Sequence, residues 1–267
     1  MDRDQVLEAN RRLWDQWTPI HERSAFYDVA AFRRGESTLQ SIEVDELGDQ
    51  VDGRSLLHLQ CHFGLDTLSW ARRGARVTGI DLSPKAVDTA QGLADELGID
   101  ARFVACDVMA LRQHVTETFD VVYTSYGVLD WLDDLAPWGR VVADSLVPGG
   151  IFYMVEFHPV TGMLADDGRS LVHEYFRQKK PLRFEEKGTY AEPDAEVEGT
   201  SYVWSHSLAE VVGALLEAGL ILEQLHEFDT SPYDCFPFTR LVEPGRAVVP
   251  GMEGKIPLVY SLRARKP

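Results

Sequence analysis

The stretch Leu56–Asp81 constrains the fold of this chain most, because it predicts a strand, a tight turn, a helix and a second strand in immediate succession. An apolar run ends in the polar turn Gln60–Gly64, apolar residues then recur at helical spacing as far as Gly74, and a second apolar run ends on Asp81. The two strands must be parallel and joined by a right-handed crossover. The turn and Asp81 therefore lie at the carboxyl edge of a sheet, where such sheets bind ligands.

Five more strands are predicted along the chain, at Ala101–Val108, Phe119–Gly127, 151–157, Ile221–Phe228 and Ile256–Leu262. Between the second and third strands, Ser83 and Pro84 predict the start of a helix and Gly98 its end. The last strand follows the sixth without room for a crossover helix, so it is expected to pair antiparallel as a closing hairpin. The predicted fold is α/β, a Rossmann-like doubly wound sheet of six parallel strands plus an antiparallel seventh.

Helices precede this sheet and an irregular insertion interrupts it. An amphipathic helix is predicted over Asp4–Trp17 and is expected to end at Pro19, and a second helical stretch is predicted over Asp28–Glu46. We divide the chain into an N-terminal helical cap (1–50), a cofactor-binding βα core (51–158), an inserted lid that we interpret as two antiparallel strands (159–205), and a C-terminal part of the core with the closing hairpin (206–267).

Charge and composition limit the partners of the protein. The net charge is -17 and the pI is near 4.8, which argues against nucleic acid as the main partner because phosphate binding requires clustered Lys and Arg. Three cysteines without CxxC spacing fit a reducing compartment, and no apolar run approaches the ~20 residues of a membrane span. We expect a cytoplasmic protein with a small-molecule partner. A homodimer is compatible with the sequence, which does not specify the oligomeric state.

The residues that follow the predicted strands resemble those of a known family. Gln60–Gly64, Asp81, Asp107 and Ser125-Tyr126 follow four successive strands, and the spacing is similar to that of the class I S-adenosylmethionine-dependent methyltransferases. The sequence LHLQCHFG resembles that of a bacterial subgroup of this family that methylates small molecules. In the family this turn carries three spaced glycines, of which only Gly64 remains here; Gln60 and His62 take the places of the other two.

The resemblance implies S-adenosyl-L-methionine as cofactor and methyl transfer to a small molecule by in-line displacement. It places the turn near the methionine part of the cofactor, Asp81 at the ribose hydroxyls and Asp107 near the adenine. The full set of implied cofactor-binding residues is Gln60, Cys61, His62, Phe63, Gly64, Asp81, Leu82, Asp107, Val108, Ser125 and Tyr126.

Candidates for catalysis and acceptor binding come from the carboxyl edge and the cap. His158 and His206 are candidate bases, because histidine exchanges protons near neutral pH. Residues that could contact an acceptor are Trp17, Tyr27, Trp131, Glu156, Tyr202 and Trp204. Each of these could instead have a structural role, and packing is favoured for Trp17 and Tyr27 because aromatic residues at helical spacing usually face a core.

Alternatives to methyl transfer remain open at this point. The same fold can serve a non-catalytic cofactor-binding or regulatory protein. An NAD-dependent oxidoreductase is less favoured, because QCHFGLD lacks the GxGxxG that cradles a pyrophosphate. His58, Cys61 and His62 lie close in sequence without a second group at ligand spacing, so no metal site is predicted. A serine hydrolase is disfavoured because no GxSxG motif is present.

Overall fold

The computed structural model of the protein describes residues 2–267 and contains a seven-stranded sheet with helices on both faces. The helices are α1 (Arg3–Arg23), α2 (Val29–Arg33), α3 (Ser41–Leu47), α4 (Leu65–Arg72), α5 (Pro84–Leu97), α6 (Leu111–His114), α7 (Leu135–Ser145) and α8 (Leu208–Glu217). The strands are β1 (Ser55–Leu59), β2 (Arg76–Asp81), β3 (Ala101–Ala105), β4 (Phe119–Ser125), β5 (Leu146–Phe157), β6 (Leu182–Lys187), β7 (Glu198–Val203), β8 (Ile221–Phe228), β9 (Arg240–Glu243), β10 (Arg246–Val248) and β11 (Val259–Arg265).

The strand order of the main sheet is β3-β2-β1-β4-β5-β11-β8. Strands β1 to β5 pair in parallel, and β11 is antiparallel to both β5 and β8, so six strands run one way and one runs against them. The predicted Rossmann-like sheet is confirmed. The last strand does pair with β8, and it also inserts between β5 and β8, which leaves β8 at the edge of the sheet.

Alternate residues of the central strands pack against helices on opposite faces. Leu56 and Val121 face α3 and α4, where Trp70 is fully buried. Leu57 and Val122 face α7 and α8, where Trp138 is fully buried. Burial on both faces explains why these strands read as nearly continuous apolar runs.

The N-terminal cap differs from its prediction in two places. Helix α1 continues through Pro19 to Arg23, although proline removes a helical hydrogen bond, and the extra turn buries Ile20 and His21. The predicted helix Asp28–Glu46 is wrong. Its residues form the short helices α2 and α3, because Gly35, with a φ of 109°, turns the chain between them.

The insertion after β5 contains β6 and β7, which pair antiparallel from Leu182↔Val203 to Lys187↔Glu198. Strand β7 packs against α1, so the insertion and the N-terminal helix meet above the carboxyl edge of the main sheet. The segment between β8 and β11 includes a small hairpin of β9 and β10. Within residues 2–267, none of the helices combines the length and the apolar character that crossing a membrane requires.

Candidate active site

The turn after β1 has an unusual backbone. Gln60 and His62 adopt positive φ angles of 54° and 51°, and Gly64, which precedes α4, has a φ of 81°. Residues other than glycine rarely adopt this left-handed conformation. The chain thus places two side chains at positions whose backbone geometry favours glycine, and contacts elsewhere must stabilise them.

Those contacts join the turn to its surroundings. Gln60 Nε2 donates a hydrogen bond to the carbonyl oxygen of Val128, 2.9 Å away in the loop after β4. His62 Nε2 lies 2.9 Å from Nδ1 of His21 on α1, and burial lowers the pKa of both histidines. The side chain of Gln60 therefore fixes the β4 loop, and that of His62 fixes the N-terminal helix. Cys61 and Phe63 of the same turn pack into the core.

Asp81 lies at the end of β2, next to this turn. Its Oδ2 accepts a hydrogen bond from the backbone N–H of His62 at 2.8 Å, and its Oδ1 accepts one from that of Ser83 at 2.9 Å. Burial raises the pKa of Asp81 to about 6, while the two backbone bonds oppose that shift. Each carboxylate oxygen keeps capacity for a further donor. Asp81 and the neighbouring Leu82 line the cavity described below.

Asp107 follows β3 and is held by α1. Its Oδ1 accepts a hydrogen bond from the backbone N–H of Met109 at 3.0 Å, and its Oδ2 pairs with a guanidinium nitrogen of Arg3 at 2.6 Å. Arg3 also lies 3.6 Å from Asp133. The first turn of α1 thus closes over the end of β3, where Val108 also lines the cavity.

Ser125 and Tyr126, at the end of β4, contact two acids that the sequence analysis did not identify, one buried and one partly buried. Tyr126 Oη donates a hydrogen bond to Glu43 at 3.0 Å, and Ser125 Oγ donates to Asp66 at 3.4 Å. Burial, and next the charge of Asp66, raise the pKa of Glu43 to about 8. Asp66 could have been inferred from its place two residues after Gly64, whereas nothing in the sequence distinguishes Glu43 from the acids around it.

The raised pKa of Glu43 predicts how the unfolding free energy of the protein depends on pH. Between its ordinary pKa near 4.5 and about 8 the folded protein holds a proton that the unfolded chain releases, so stability falls as pH rises through this window. We expect Glu43→Gln to flatten the dependence of unfolding free energy on pH between 5 and 8 by up to roughly 1 kcal/mol per pH unit. Denaturant unfolding at several pH values measures it. Asp45→Asn, an exposed acid on the same helix, should leave the slope unchanged, and an unchanged slope for Glu43→Gln would contradict the prediction.

Aromatic rings from the cap and from the loop after β4 meet above the turn. The ring of Trp131 lies 5.2 Å from that of Trp14 and 6.5 Å from that of Trp17, and the ring of Tyr27 stacks on His21 at 5.3 Å. Three of the predicted acceptor residues, Trp17, Tyr27 and Trp131, are therefore brought together.

The aromatic residues of β7 and its exit have different positions. Trp204 lines the cavity, and its backbone N–H donates to the carbonyl oxygen of Asp130 at 2.8 Å. Tyr202 lies outside the lining, and its ring packs against Val6 of α1. Both backbone groups of Tyr202 bond the buried side chain of Asn10, at 2.8 and 2.9 Å, which fastens the insertion to α1.

Glu156, near the end of β5, organises the loop after β4. Its buried carboxylate accepts hydrogen bonds from the backbone N–H groups of Gly127, Val128 at 2.9 Å, Leu129 at 3.3 Å and Phe157 at 2.7 Å. Burial raises its pKa, and these four bonds oppose the shift. The two oxygens of Glu156 already accept hydrogen bonds from four backbone N–H groups. Glu156 therefore holds this backbone in place and has little capacity left to bind an acceptor.

The two candidate bases also face protein groups. His158 Nδ1 accepts from the backbone N–H of Val160 at 3.2 Å, and its Nε2 lies 2.9 Å from Glu227. His206 Nε2 lies 2.8 Å from the carbonyl oxygen of Leu132, and its Nδ1 faces Glu210 at 3.3 Å. Both rings line the cavity, and Nε2 of His158 and Nδ1 of His206 lie near these carboxylates without forming a hydrogen bond within residues 2–267.

A cavity of about 660 Å³ connects the strand ends with the aromatic rings above them. Its wall includes the turn after β1, the ends of β2, β3 and β4, the aromatic rings of α1, and Trp204 and His206. One lining residue that the sequence analysis missed is Asp130, in a short 3-10 helix, Leu129–Trp131. Burial in the cavity, and next the charge of Glu156, raise the pKa of Asp130 to about 7. Among the residues described, no three His, Cys, Asp or Glu side chains converge as metal ligands would.

Comparison with known proteins places this geometry in a family. The family described as "Methyltransferase domain" matches residues 56–150. The chain is 32% identical over 186 residues to the ubiquinone biosynthesis O-methyltransferase of Alkalilimnicola ehrlichii, a match that covers 69% of this chain and 68% of that protein. The chain belongs to the class I S-adenosylmethionine-dependent methyltransferases. The predicted family, reaction class and cofactor, S-adenosyl-L-methionine, are confirmed for this methyltransferase.

Two further matches agree with the assignment. The methyltransferase is 30% identical over 188 residues to the ubiquinone biosynthesis O-methyltransferase of Paracidovorax citrulli, covering 65% of this chain and 73% of that protein. A solved structure of an S-adenosylmethionine dependent methyltransferase from Mesorhizobium loti shares the fold, with a TM-score of 0.58 at 21% identity over 88% of this chain and all of that one. The chain spans from 54% to 73% of the length of such curated relatives.

Proposed function

We propose that this methyltransferase transfers a methyl group from S-adenosylmethionine to a hydroxyl group of a small, planar, uncharged acceptor. The observation that carries the proposal is that the strand-end acids and the aromatic wall share one cavity of about 660 Å³, within the range of about 300–1,000 Å³ typical of small-molecule sites. Aromatic rings favour a planar, apolar body. The curated relatives are named as O-methyltransferases, which supports a hydroxyl acceptor.

The residues present fit the cofactor. Gln60 Oε1, His62 Nδ1 and Trp17 Nε1 are buried polar atoms that have no hydrogen-bond partner among residues 2–267, and all three residues line the cavity. Buried polar groups of this kind require partners. The amino and carboxylate groups of a bound methionine moiety supply both donors and acceptors. We assign Asp81 to the ribose hydroxyls, Asp107 to the adenine amino group, and Gln60 with Trp17 to the methionine end.

The chemistry that the cofactor supplies when bound is a methyl group on a positively charged sulfur. The protein's part is alignment of the acceptor, exclusion of water and removal of a proton. The rings of Trp14, Trp17 and Trp131 would hold a planar acceptor and keep water from the reacting atoms. Catalytic roles for His158 and His206 stay predictions, and the contacts of their ring nitrogens favour positioning of the loops around the acceptor.

Replacement of Asp81 tests the cofactor site. We expect Asp81→Asn to weaken the binding of S-adenosylmethionine and of its demethylated product about 10- to 100-fold, because a charged acceptor of hydroxyl hydrogen bonds becomes neutral. Titration calorimetry measures both affinities. Asp88→Asn, an exposed acid on α5, is the matched control. Equal affinity of Asp81→Asn and the unaltered protein would move the ribose site elsewhere.

Transfer itself is measured with S-adenosylmethionine labelled on its methyl group. The acceptors offered are phenol, catechol and 4-alkylcatechols, beside amines and benzoates of similar size. We expect label in the neutral hydroxylated rings and none in the benzoates, since the cavity wall is rich in acids. Failure of the protein to bind either form of the cofactor would overturn the proposed function.

A further inference from the structure

The loop that carries Asp130 is fixed by contacts on three sides. Glu156 accepts hydrogen bonds from the backbone of the preceding residues, Trp131 Nε1 donates to the carbonyl oxygen of Gly127 at 3.0 Å, and the backbone N–H of Trp204 donates to that of Asp130 at 2.8 Å. These bonds use backbone groups of the loop and none of them uses the carboxylate of Asp130. The backbone is therefore held while the side chain stays available.

The carboxylate of Asp130 is set apart from the other acids of the cavity. The lining acids are Asp66, Asp81, Asp107, Asp130, Asp133, Glu156 and Glu186. Six of them accept a hydrogen bond or pair with Arg3 within residues 2–267. Asp130 has neither, and it is an exposed residue of the cavity wall. Asp130 is therefore accessible to a ligand in the cavity.

The surroundings of Asp130 suit proton transfer. Trp131 and Trp204 are its aromatic neighbours in the wall, and the titratable groups whose charges interact with it are Glu156 on β5 and Tyr260 on β11. No lysine or arginine pairs with it in the described chain. A carboxylate that the surrounding protein partly desolvates, with no cation paired to it, is a stronger base than one in solution. General bases act best when their pKa lies near the working pH.

We propose that Asp130 is the catalytic base that removes the proton from the acceptor hydroxyl. This inference rests on the proposed function and adds the group that completes its chemistry. The acceptor oxygen forms a bond to the methyl carbon as the carbon–sulfur bond breaks. The hydroxyl proton passes to a carboxylate oxygen of Asp130, and the electron pair of the broken bond stays on sulfur, which leaves as a neutral thioether. The acid then returns its proton to water when the product departs.

The role of Asp130 as a base also limits the charge of the acceptor. A base without a cationic neighbour repels an anionic acceptor, so a ring that carries its own carboxylate is disfavoured near Asp130. A neutral hydroxylated ring meets no such penalty, since its hydroxyl donates to the carboxylate and its face packs on tryptophan. Asp130 thereby selects both the group that reacts and the charge of the molecule that carries it.

The test compares Asp130→Asn with the unaltered protein. We expect single-turnover methyl transfer to catechol at pH 7 to fall about 10²- to 10⁴-fold, the usual contribution of a general base. The affinity for S-adenosylmethionine should stay within about twofold, because the cofactor is assigned to other residues. The rate of the unaltered protein should rise with pH through about 7 as the base loses its proton, and Asp130→Asn should lack this rise. A merely structural role would not remove the pH dependence.

Controls separate the two proposals. Asp144→Asn, an exposed acid on α7, should leave the rate unchanged, and Asp130→Glu should restore part of the activity together with the pH dependence. Asp130→Asn with an unaltered rate and pH profile would overturn the role of Asp130 while methyl transfer itself stands. If the complex of the unaltered protein with demethylated cofactor binds none of the phenols, or binds them without transfer from S-adenosylmethionine, the role of Asp130 is overturned. Failure to bind the cofactor at all overturns the proposed function first.

Discussion

Replacing Gly64 by alanine is expected to lower the free energy of unfolding by about 2 to 5 kcal/mol, the sum of backbone strain and overpacking. Gly64 has a φ of 81°, and a Cβ atom built on it would lie 2.7 Å from the ring of Phe103 and 2.9 Å from the Cβ of Ala90. Real Cβ atoms do not approach other atoms so closely, so the turn or α5 must shift. Because Gly64 lines the cavity, the affinity for S-adenosylmethionine should fall as well.

A second glycine provides the control for this substitution. Gly92 lies inside α5, its φ is not positive, and nothing lies within 4 Å of a Cβ atom built on it. Gly92→Ala should be neutral or stabilise the protein by about 0.5 to 1 kcal/mol, because alanine favours helix. Denaturant unfolding compares the two variants. A loss below about 1 kcal/mol for Gly64→Ala would show that the turn relaxes around the methyl group, and the strain argument would fail.

Local sequence signals predicted the parts of the fold that local physics determines. Ser83, Pro84 and Gly98 mark both ends of α5 because capping and φ preferences act within a few residues. The apolar run of β4 follows from burial on both faces of the sheet. Asp81 was found at a ligand edge because a parallel strand must end where its apolar run ends.

Contacts between residues distant in sequence determine the features that local sequence signals did not predict. The continuation of α1 past Pro19 depends on the burial of His21 against residues distant in sequence, including His62 and Tyr190. Asp130 stands in the run DWLDD beside Asp133 and Asp134, and composition does not distinguish the three. In the fold, Asp134 caps α7 and Asp133 lies near Arg3, while the carboxylate of Asp130 has no hydrogen-bond or ion-pair partner within residues 2–267. Only the tertiary structure separates these roles.

Glu156 is the buried group on which the acceptor side of the site most depends, and Glu156→Ala is expected to cost about 3 to 5 kcal/mol of stability. The substitution removes the acceptor of four backbone N–H groups at once, those of Gly127, Val128, Leu129 and Phe157. Each unpaired buried donor costs about 1 to 3 kcal/mol, and water that enters from the cavity offsets part of the sum. Denaturant unfolding measures the loss, with Glu217→Ala at the exposed end of α8 as the matched control.

A second substitution of Glu156 distinguishes a role in supporting the loop from a role in proton removal. Glu156→Gln keeps one oxygen acceptor and the shape of the side chain, but it directs an NH₂ group at backbone donors, so its stability should lie between those of Glu156→Ala and the unaltered protein. Both variants should reduce methyl transfer, because Asp130 and Trp131 lose the frame that orients them, yet the rise of the remaining rate with pH should persist since Asp130 is still present. If that rise disappears in Glu156→Gln while folding is intact, then Glu156 itself is the titrating group. The base would then have to be reassigned from the loop to β5.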